Sequence, residues 1–379
     1  MVTEDTTLTR RWNPVCFCVC LFRTTQCTGY ADCVKPLPTE DLDLVLEHTL
    51  PLWERARGRR VFISGGTGFF GAWLLESLAH CNRELRLGLS ATVLSRDPGA
   101  FARRMPHLAG EACIQMVQGD VRDFEFQPEE FEFVIHAAAS TSTAAASQPL
   151  ELLSTLIDGT KHMLAFAKAR GAKRFLLTSS GAVYGRQPQN VSHISEDYVG
   201  GPEWLDPNAA YAEGKRVSEQ MCSLYARESG IDVVIARCFA FVGPHLPLDQ
   251  HFAIGNFIAD ALAARDIAVR GDGRPMRSYL YGADLAIWLW TMLLRDSLPG
   301  SNPHVFNVGS GEAISIRDLA RVVVEELDPS LKVEVAKASI SGEPRLQYVP
   351  DVHSAENGLG LRPTIGLREA IRRTAAWHR

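Results

Sequence analysis

No stretch of the 379-residue sequence approaches the ~20 consecutive apolar residues that cross a bilayer, so a membrane-spanning helix is not expected. Positive charge is not in surplus either. Lys and Arg number 39 against 44 Asp and Glu, a formal net charge of −5. That balance excludes a general pull toward nucleic acid or anionic lipid and leaves any phosphate recognition to local groups. A disulfide framework is also missing: the nine cysteines are odd in number, Cys16, Cys18, Cys20, Cys27 and Cys33 crowd the start, and the rest are scattered. Scattered thiols in a large chain suit a reducing, cytoplasmic setting. The Cys16–Cys18–Cys20 spacing fits no standard zinc pattern, so no metal is expected. Repeats and low-complexity tracts are lacking. The apolar run from Val15 to Phe22 is short and the start carries Glu4 and Asp5. Residues 1–38 therefore read as a disordered extension and not as a secretory signal.

What is present is a chain long enough to bury a large core, organised by alternation. Thr39 reads as an N-cap, with Leu42, Val45 and Leu46 at helical spacing, and Pro51 as the start of a second short helix, giving a helical lead-in over 39–58. Strands are expected at Arg60 to Ser64, Ala91 to Leu94, Ile114 to Gln118, Phe133 to Ile135, Phe175 to Thr178 and Asp232 to Ala236, with helical patterns between most of them. Strand–helix alternation implies a parallel sheet covered on both faces. Past Arg237, Gly243, Pro244, Pro247 and the Gly271–Asp272–Gly273 turn break the chain into shorter elements. Helices are expected there at Phe252 to Ala264, Ala283 to Leu294, Ser315 to Glu326 and Leu367 to Ala375. The division expected is a dinucleotide-binding domain over 59–240 and a substrate-binding lobe over 241–379, with 283–308 returning to the first.

Gly65-Gly66-Thr67-Gly68-Phe69-Phe70-Gly71 lies between a strand and a helix, the setting a dinucleotide fingerprint requires. Glycines there permit a tight turn and close approach of backbone to pyrophosphate, while the helix N-terminus offers unpaired N–H groups. Tyr211 and Lys215 are four apart and share a helix face. A free phenol titrates near ~10, so Tyr211 needs a nearby cation such as Lys215 before it can act as a base near neutral pH.

The Gly-x-x-Gly-x-x-Gly spacing, Gly119-Asp120-Val121-Arg122-Asp123, Val134-Ile135-His136-Ala137-Ala138, Ser179-Ser180-Gly181-Ala182-Val183-Tyr184-Gly185 and Tyr211-Ala212-Glu213-Gly214-Lys215 together resemble the extended short-chain dehydrogenase/reductase family, the NAD-dependent epimerase/dehydratase group acting on nucleotide sugars. The resemblance runs from Arg60 to the C-terminus. It implies an α/β fold: a Rossmann-type doubly wound parallel sheet with a smaller mixed α/β C-terminal substrate lobe, in a homodimer. Ser180, Tyr211 and Lys215 would be catalytic. Gly65, Gly68, Phe69, Phe70, Gly71, Asp120, Val121, Ala137, Ala138 and Lys215 would hold the cofactor. The second strand ends in Ser95-Arg96-Asp97-Pro98, as in the family's NADPH-dependent reductases, which favours NADP(H) with Arg96 on the 2′-phosphate; the alternative is NAD(H), with Asp97 on the ribose. Arg277, ahead of Ser278-Tyr279-Leu280-Tyr281, matches the arginine that grips a nucleotide-sugar diphosphate, with Asn256 beside the same ligand.

Family dehydratases carry an acid pair after the residue matching Ser180, whereas this chain has Gly181 and Ala182. A sugar 4-epimerase or 4-ketoreductase is therefore expected. A 4,6-dehydratase remains open if Glu196, Asp197 or Glu213 reaches in, and so does a non-catalytic dinucleotide sensor. Ala240 stands where the family has a substrate-touching asparagine, and His245 or His251 could replace it.

Overall fold

The computed structural model describes residues 34–139, 147–250, 252–336 and 345–379. Its first half alternates as expected: α1 (Thr39–Thr49), a 3-10 turn (Leu50–Ala56), β1 (Arg60–Ser64), α2 (Phe69–Leu85), β2 (Ser90–Ser95), α3 (Pro98–Arg104), α4 (Pro106–Ala109), β3 (Ile114–Gln118), β4 (Phe133–His136), α5 (Pro149–Ala169), β5 (Arg174–Ser180), a 3-10 turn (Gly181–Tyr184), α6 (Ala210–Ser229) and β6 (Asp232–Cys238). Shorter pieces follow: β7 (Phe241–Val242), α7 (Ala253–Leu262), β8 (Ile267–Val269), β9 (Met276–Arg277), β10 (Leu280–Tyr281), α8 (Gly282–Leu294), β11 (His304–Val308), β12 (Ile314–Ser315), α9 (Ile316–Leu327), β13 (Val333–Val335), β14 (Gln347–Tyr348), α10 (His353–Leu359) and α11 (Leu367–His378). None of these helices is long and apolar enough to cross a membrane.

Seven strands form one sheet in the order β11-β6-β5-β4-β1-β2-β3, with every pairing parallel. The order reverses between β1 and β4. A crevice opens at the carboxyl ends of these two strands, where ligands of doubly wound sheets bind. β1, β4 and β5 are apolar runs because both of their faces are covered. One core cluster holds Phe62, Val134, Phe166 and Phe175; the larger one, on the other face, holds Ile63, Val93, Trp73 and Trp290. α8 is buried at every position, and Trp290 donates to Ser77 Oγ at 2.9 Å while its ring meets Trp53 at 4.9 Å. The remaining strands form small sheets, of which β12-β9-β14 matters most for the site.

Two expectations are corrected. Thr39 is the first helical residue of α1 and Pro38 is the N-cap, with no side-chain cap bond; the fixed φ of proline sets the entry. Residues 34–38, expected within the disordered extension, are held in place. Leu37 is buried and its N–H donates to Glu76 Oε2 at 2.6 Å, and the Val34 N–H donates to Arg104 O at 2.9 Å. The rest of that extension, with its cysteine run, lies outside the described residues.

Candidate active site

The glycine turn closes over the end of β4. Gly65 has φ +78°, and a Cβ there would sit 2.4 Å from the Ala137 carbonyl carbon; a Cβ on Gly71 would sit 2.2 Å from that of Gly66. Close packing of the chain on itself therefore demands both glycines. Gly68 differs, since a Cβ would meet only Gly65 O, at 3.7 Å. It is also the N-cap of α2 and carries no side-chain cap bond, so the first-turn N–H groups face an open approach. Such an opening fits a pyrophosphate at the positive end of the helix. Phe69 and Phe70 begin α2 and are half-buried. Ala137 lies across the turn, its N–H donating to Ser64 O at 3.0 Å, and Ala138 follows it.

Beyond the turn, Val121 is buried and packs so tightly on α5 that a Cβ on Gly159 would meet its Cγ1 at 2.7 Å. Asp120 is gripped by the Arg122 guanidinium, through contacts of 2.8 and 3.0 Å, and this holds its carboxyl below the usual range. Arg96 is exposed at the end of β2 and close enough to act electrostatically on Asp120. Asp97 caps α3, accepting from Ala100 N at 2.8 Å.

Ser180, Tyr211 and Lys215 meet where β5 and α6 converge. Tyr211 lies beside Ser180, close enough for the serine to favour its phenolate, and Ser180 Oγ accepts from Ala182 N at 3.1 Å as the cap of the 3-10 turn. Lys215 is buried one helical turn on and donates to Thr178 O at 2.7 Å. Burial pushes the Tyr211 phenol up to about 12, with Ser180 opposing, and the Lys215 ammonium down to about 8. Glu219, the next residue on this helix face, anchors α6 to the sheet: it accepts from Ser179 Oγ at 2.6 Å and from Arg237 at 2.7 Å. Behind Lys215, His136 is kept neutral by burial, its pKa lowered to about 3, and it bridges Ser64 Oγ at 2.8 Å and Thr160 Oγ1 at 3.1 Å.

Tyr348 is the site residue that sequence reasoning missed. Its hydroxyl is 3.5 Å from Ser180 Oγ, its ring packs 4.7 Å from that of Phe239, and the Arg277 guanidinium lies 5.7 Å from its centroid. Burial raises its phenol. A two-residue strand has no periodicity to read, and no motif marked it. Arg277 is thus linked to Ser180 through Tyr348, while Asn256, half-buried in the first turn of α7, bonds to none of the other predicted residues.

The alternative acids are engaged elsewhere. Glu196 accepts from Asn307 N at 2.7 Å and Ser354 Oγ at 3.1 Å, Glu213 pairs with Arg216 at 3.7 Å on the surface of α6, and Asp197 is exposed. His245 does not replace the missing asparagine. It is buried against Glu76, with Nε2 2.8 Å from Oε1. His251 lies outside the described residues. Gly181 is sterically required, because a Cβ would meet the Phe239 ring at 2.6 Å.

A doubly wound sheet with a glycine turn at its switch point and a serine, tyrosine and lysine at the adjacent strand end defines a short-chain dehydrogenase/reductase of the extended type. Residues 61–309 match the profile of the NAD dependent epimerase/dehydratase family. The chain is 32% identical over 319 residues to UDP-glucuronic acid decarboxylase 1 of Arabidopsis thaliana, covering 83% of this chain and 68% of that one. It is 30% identical over 322 residues to UDP-glucuronic acid decarboxylase 1 of Xenopus tropicalis, covering 85% and 72%. In fold it is similar to the UDP-N-acetylglucosamine 4-epimerase of Methanobrevibacter ruminantium, with a TM-score of 0.72, 21% identity and coverage of 85% and 98%. The UDP-glucose 4-epimerase of Thermotoga maritima gives a TM-score of 0.68, 23% identity and coverage of 84% and 98%. The chain belongs to the NAD dependent epimerase/dehydratase family and is an NAD-dependent enzyme of the extended short-chain type.

Proposed function

We propose that this enzyme oxidises or reduces the C4 hydroxyl of a nucleotide-diphosphate sugar, as a 4-epimerase or a 4-ketoreductase. The observation that carries the proposal is Tyr211 beside Ser180 with Lys215 buried one turn away, next to a position 181 that cannot hold an acid. The bound nicotinamide supplies the hydride acceptor or donor. Ser180 Oγ hydrogen-bonds the reacting oxygen and holds it in line. Tyr211 Oη carries the proton: with its phenol at about 12 it rests as the acid, ready to protonate an alkoxide. It becomes the base only when cationic charge beside it stabilises the phenolate. Arg277 suits the diphosphate, because its planar fork can donate two bonds to phosphate oxygens.

NADP(H) is the favoured cofactor, supported by exposed Arg96 at the strand tip and by Asp97 already serving as a helix cap. Association into a homodimer is supported by Val217 and Leu224, seven residues apart on one face of α6 and 38% and 45% exposed. A second reading, oxidation of a nucleotide-linked uronic acid with loss of CO2, is favoured by the curated relatives, which are UDP-glucuronic acid decarboxylases. Ala182 and Gly181 give it no acid beside Ser180.

The test is incubation with UDP-glucose, UDP-glucuronate and a UDP-4-ketosugar in the presence of NADPH or NADH, with products read by mass and NMR. An epimer of unchanged mass, or a reduced sugar formed with stoichiometric NADPH, supports the proposal. A UDP-pentose from the glucuronate moves the assignment to the second reading. Turnover of none of them, with reduction of an unphosphorylated ketone, overturns both. Arg96→Ala is expected to raise KM for NADPH about tenfold, the loss of one charged phosphate contact, and to leave KM for NADH unchanged.

A further inference from the structure

His136 is a buried titratable group that the chemistry of Ser180, Tyr211 and Lys215 leaves unused. It ends β4, directly before Ala137 and Ala138. Its ring joins two other elements: Nδ1 lies 2.8 Å from Ser64 Oγ, at the end of β1, and Nε2 lies 3.1 Å from Thr160 Oγ1, in the middle of α5. Thr160 Oγ1 in turn lies 2.9 Å from Ser218 Oγ of α6. All four side chains are buried, so each depends on the others for its hydrogen bonds.

Backbone carbonyls fix where the protons of this chain lie. The single Thr160 hydroxyl proton goes to Leu156 O, at 2.6 Å the shortest of its contacts, and Ser218 donates to Gly214 O at 2.9 Å. Thr160 Oγ1 therefore accepts from His136, which puts the imidazole proton on Nε2 and leaves Nδ1 to accept from Ser64 Oγ. Burial holds the ring in this neutral form, its pKa lowered to about 3, and the Lys215 ammonium nearby opposes a second positive charge.

The chain closes around Lys215. Ser218 lies three residues beyond it on α6, Lys215 Nζ donates to Thr178 O at 2.7 Å, and Thr178 Oγ1 donates to His136 O at 3.4 Å. His136 thus holds the helix of the lysine through its ring and the acceptor of the lysine through its backbone. Ser64 extends the chain to the glycine turn: its carbonyl accepts from Ala137 N at 3.0 Å, and Gly65 follows it. The other titratable groups acting on Lys215 are Glu219 and Cys222 of α6 and Cys238 of β6. Burial keeps both thiols protonated, and Glu219 is engaged by Arg237 and Ser179.

We propose that His136 is a positioning residue for the hydride and proton transfer, tying the turn that receives the cofactor phosphates to α6 and so fixing the placement of the Lys215 ammonium. The inference rests on the reading of Ser180, Tyr211 and Lys215 as the catalytic set. A fully satisfied buried network specifies one arrangement of its members, and a catalytic group displaced by ~1 Å can cost ~10² in rate.

The experiment compares the full-length wild type, His136→Ala, Thr160→Val and the double variant, with NADP and whichever of UDP-glucose and UDP-glucuronate the wild type oxidises. His136→Ala should lower kcat by about tenfold or more and leave KM for the sugar nucleotide and Kd for NADP within about twofold. The space it opens is walled by Ser64 and Thr160 and is polar enough for water. Water beside Lys215 lets it hold its proton more tightly, so the downward bend in kcat/KM should move up from about 8, by about half a pH unit or more. Thr160→Val cuts the same link while keeping the imidazole and the packed volume, and it stands as the test should His136→Ala not fold. It should lower kcat by about threefold or more at unchanged KM, and the double variant should be no slower than His136→Ala. Wild-type kcat in the single variants, losses that multiply in the double variant, or a bend unmoved in His136→Ala although Lys215→Arg removes it would each overturn this inference alone. A bend unchanged in Lys215→Arg, or oxidation of neither sugar nucleotide, overturns it together with the reading beneath it.

Discussion

Burial sets the chemistry of Tyr211 and Lys215 in opposite directions, the phenol up to about 12 and the ammonium down to about 8. Both shifts have one cause, the poor solvation of charge inside the fold. The lysine must be protonated to help stabilise a phenolate, and it loses its proton as pH rises through about 8. In the direction of sugar oxidation, the pH profile of kcat/KM for the enzyme should therefore bend downward near that value. Lys215→Arg keeps its charge at every working pH and should remove the bend even if the absolute rate falls. A bend unchanged in position in that variant would sink the assignment. Tyr211→Phe is expected to lower kcat by about 10²- to 10⁴-fold, the usual range for loss of a general acid–base group, with the dissociation constant for NADP unaltered. That pair was legible in the sequence because i and i+4 on a helix necessarily share a face. Tyr348 was not, because its place beside Ser180 depends on the pairing of β14 with β9, 71 residues away in the chain at Tyr348 and Arg277.

At the level of the element, the strand ends decide which reactions are open. β5 delivers Ser180 and then turns at once into a 3-10 helix whose first residue, Gly181, lies under the Phe239 ring. An acid cannot simply be restored there. Gly181→Glu should destabilise the fold by about 1–3 kcal/mol, as overpacking of a filled core does. Adding Phe239→Ala should recover part of that loss, although it opens a gap of its own. Urea unfolding of the three variants checks the prediction; additive losses in the double variant would show that the clash is not the cause. The long elements were read well. β1 and β3 have the expected limits, and the other expected strands of the first half extend by one to three residues, because ladder pairing continues past the apolar run, Ser95 with Gln118, His136 with Ser64 and Ser180 with Cys238. The two-residue strands β7, β9, β10, β12 and β14 could not be foreseen, since alternation needs more residues than they have.

Across the whole molecule, the ends of the described chain are drawn onto the body by buried polar groups. Asp41 of α1 accepts from Tyr281 Oη at 2.6 Å and from Arg373 of α11 at 2.6 Å, while Glu76 of α2 gathers Leu37, His107 and His245. Its contacts with the two histidines hold the Glu76 carboxyl below the usual range despite burial. A depressed carboxyl contributes stability that is complete above its unfolded value, near ~4.5, and is lost as pH falls through the folded one. The lead-in helix is thus part of the core. For the proposed dimer, Val217→Glu/Leu224→Glu would put charge on the shared face of α6. The wild type should scatter light as a dimer and the variant as a monomer with unchanged NADP binding; a monomeric wild type would end the dimer proposal.

The sequence by itself determined the alternation of strand and helix, the glycine turn at the end of β1 and the common face of Tyr211 and Lys215. Each of these rests on interactions between residues close in the chain, where periodicity and turn chemistry act directly. Only the tertiary structure decided that Gly65 and Gly71 serve chain packing while Gly68 stays open, that Glu196 and His245 are engaged elsewhere, and that Tyr348 stands beside Ser180. Those outcomes depend on which distant surfaces meet, and that is set by burying both faces of the sheet at once.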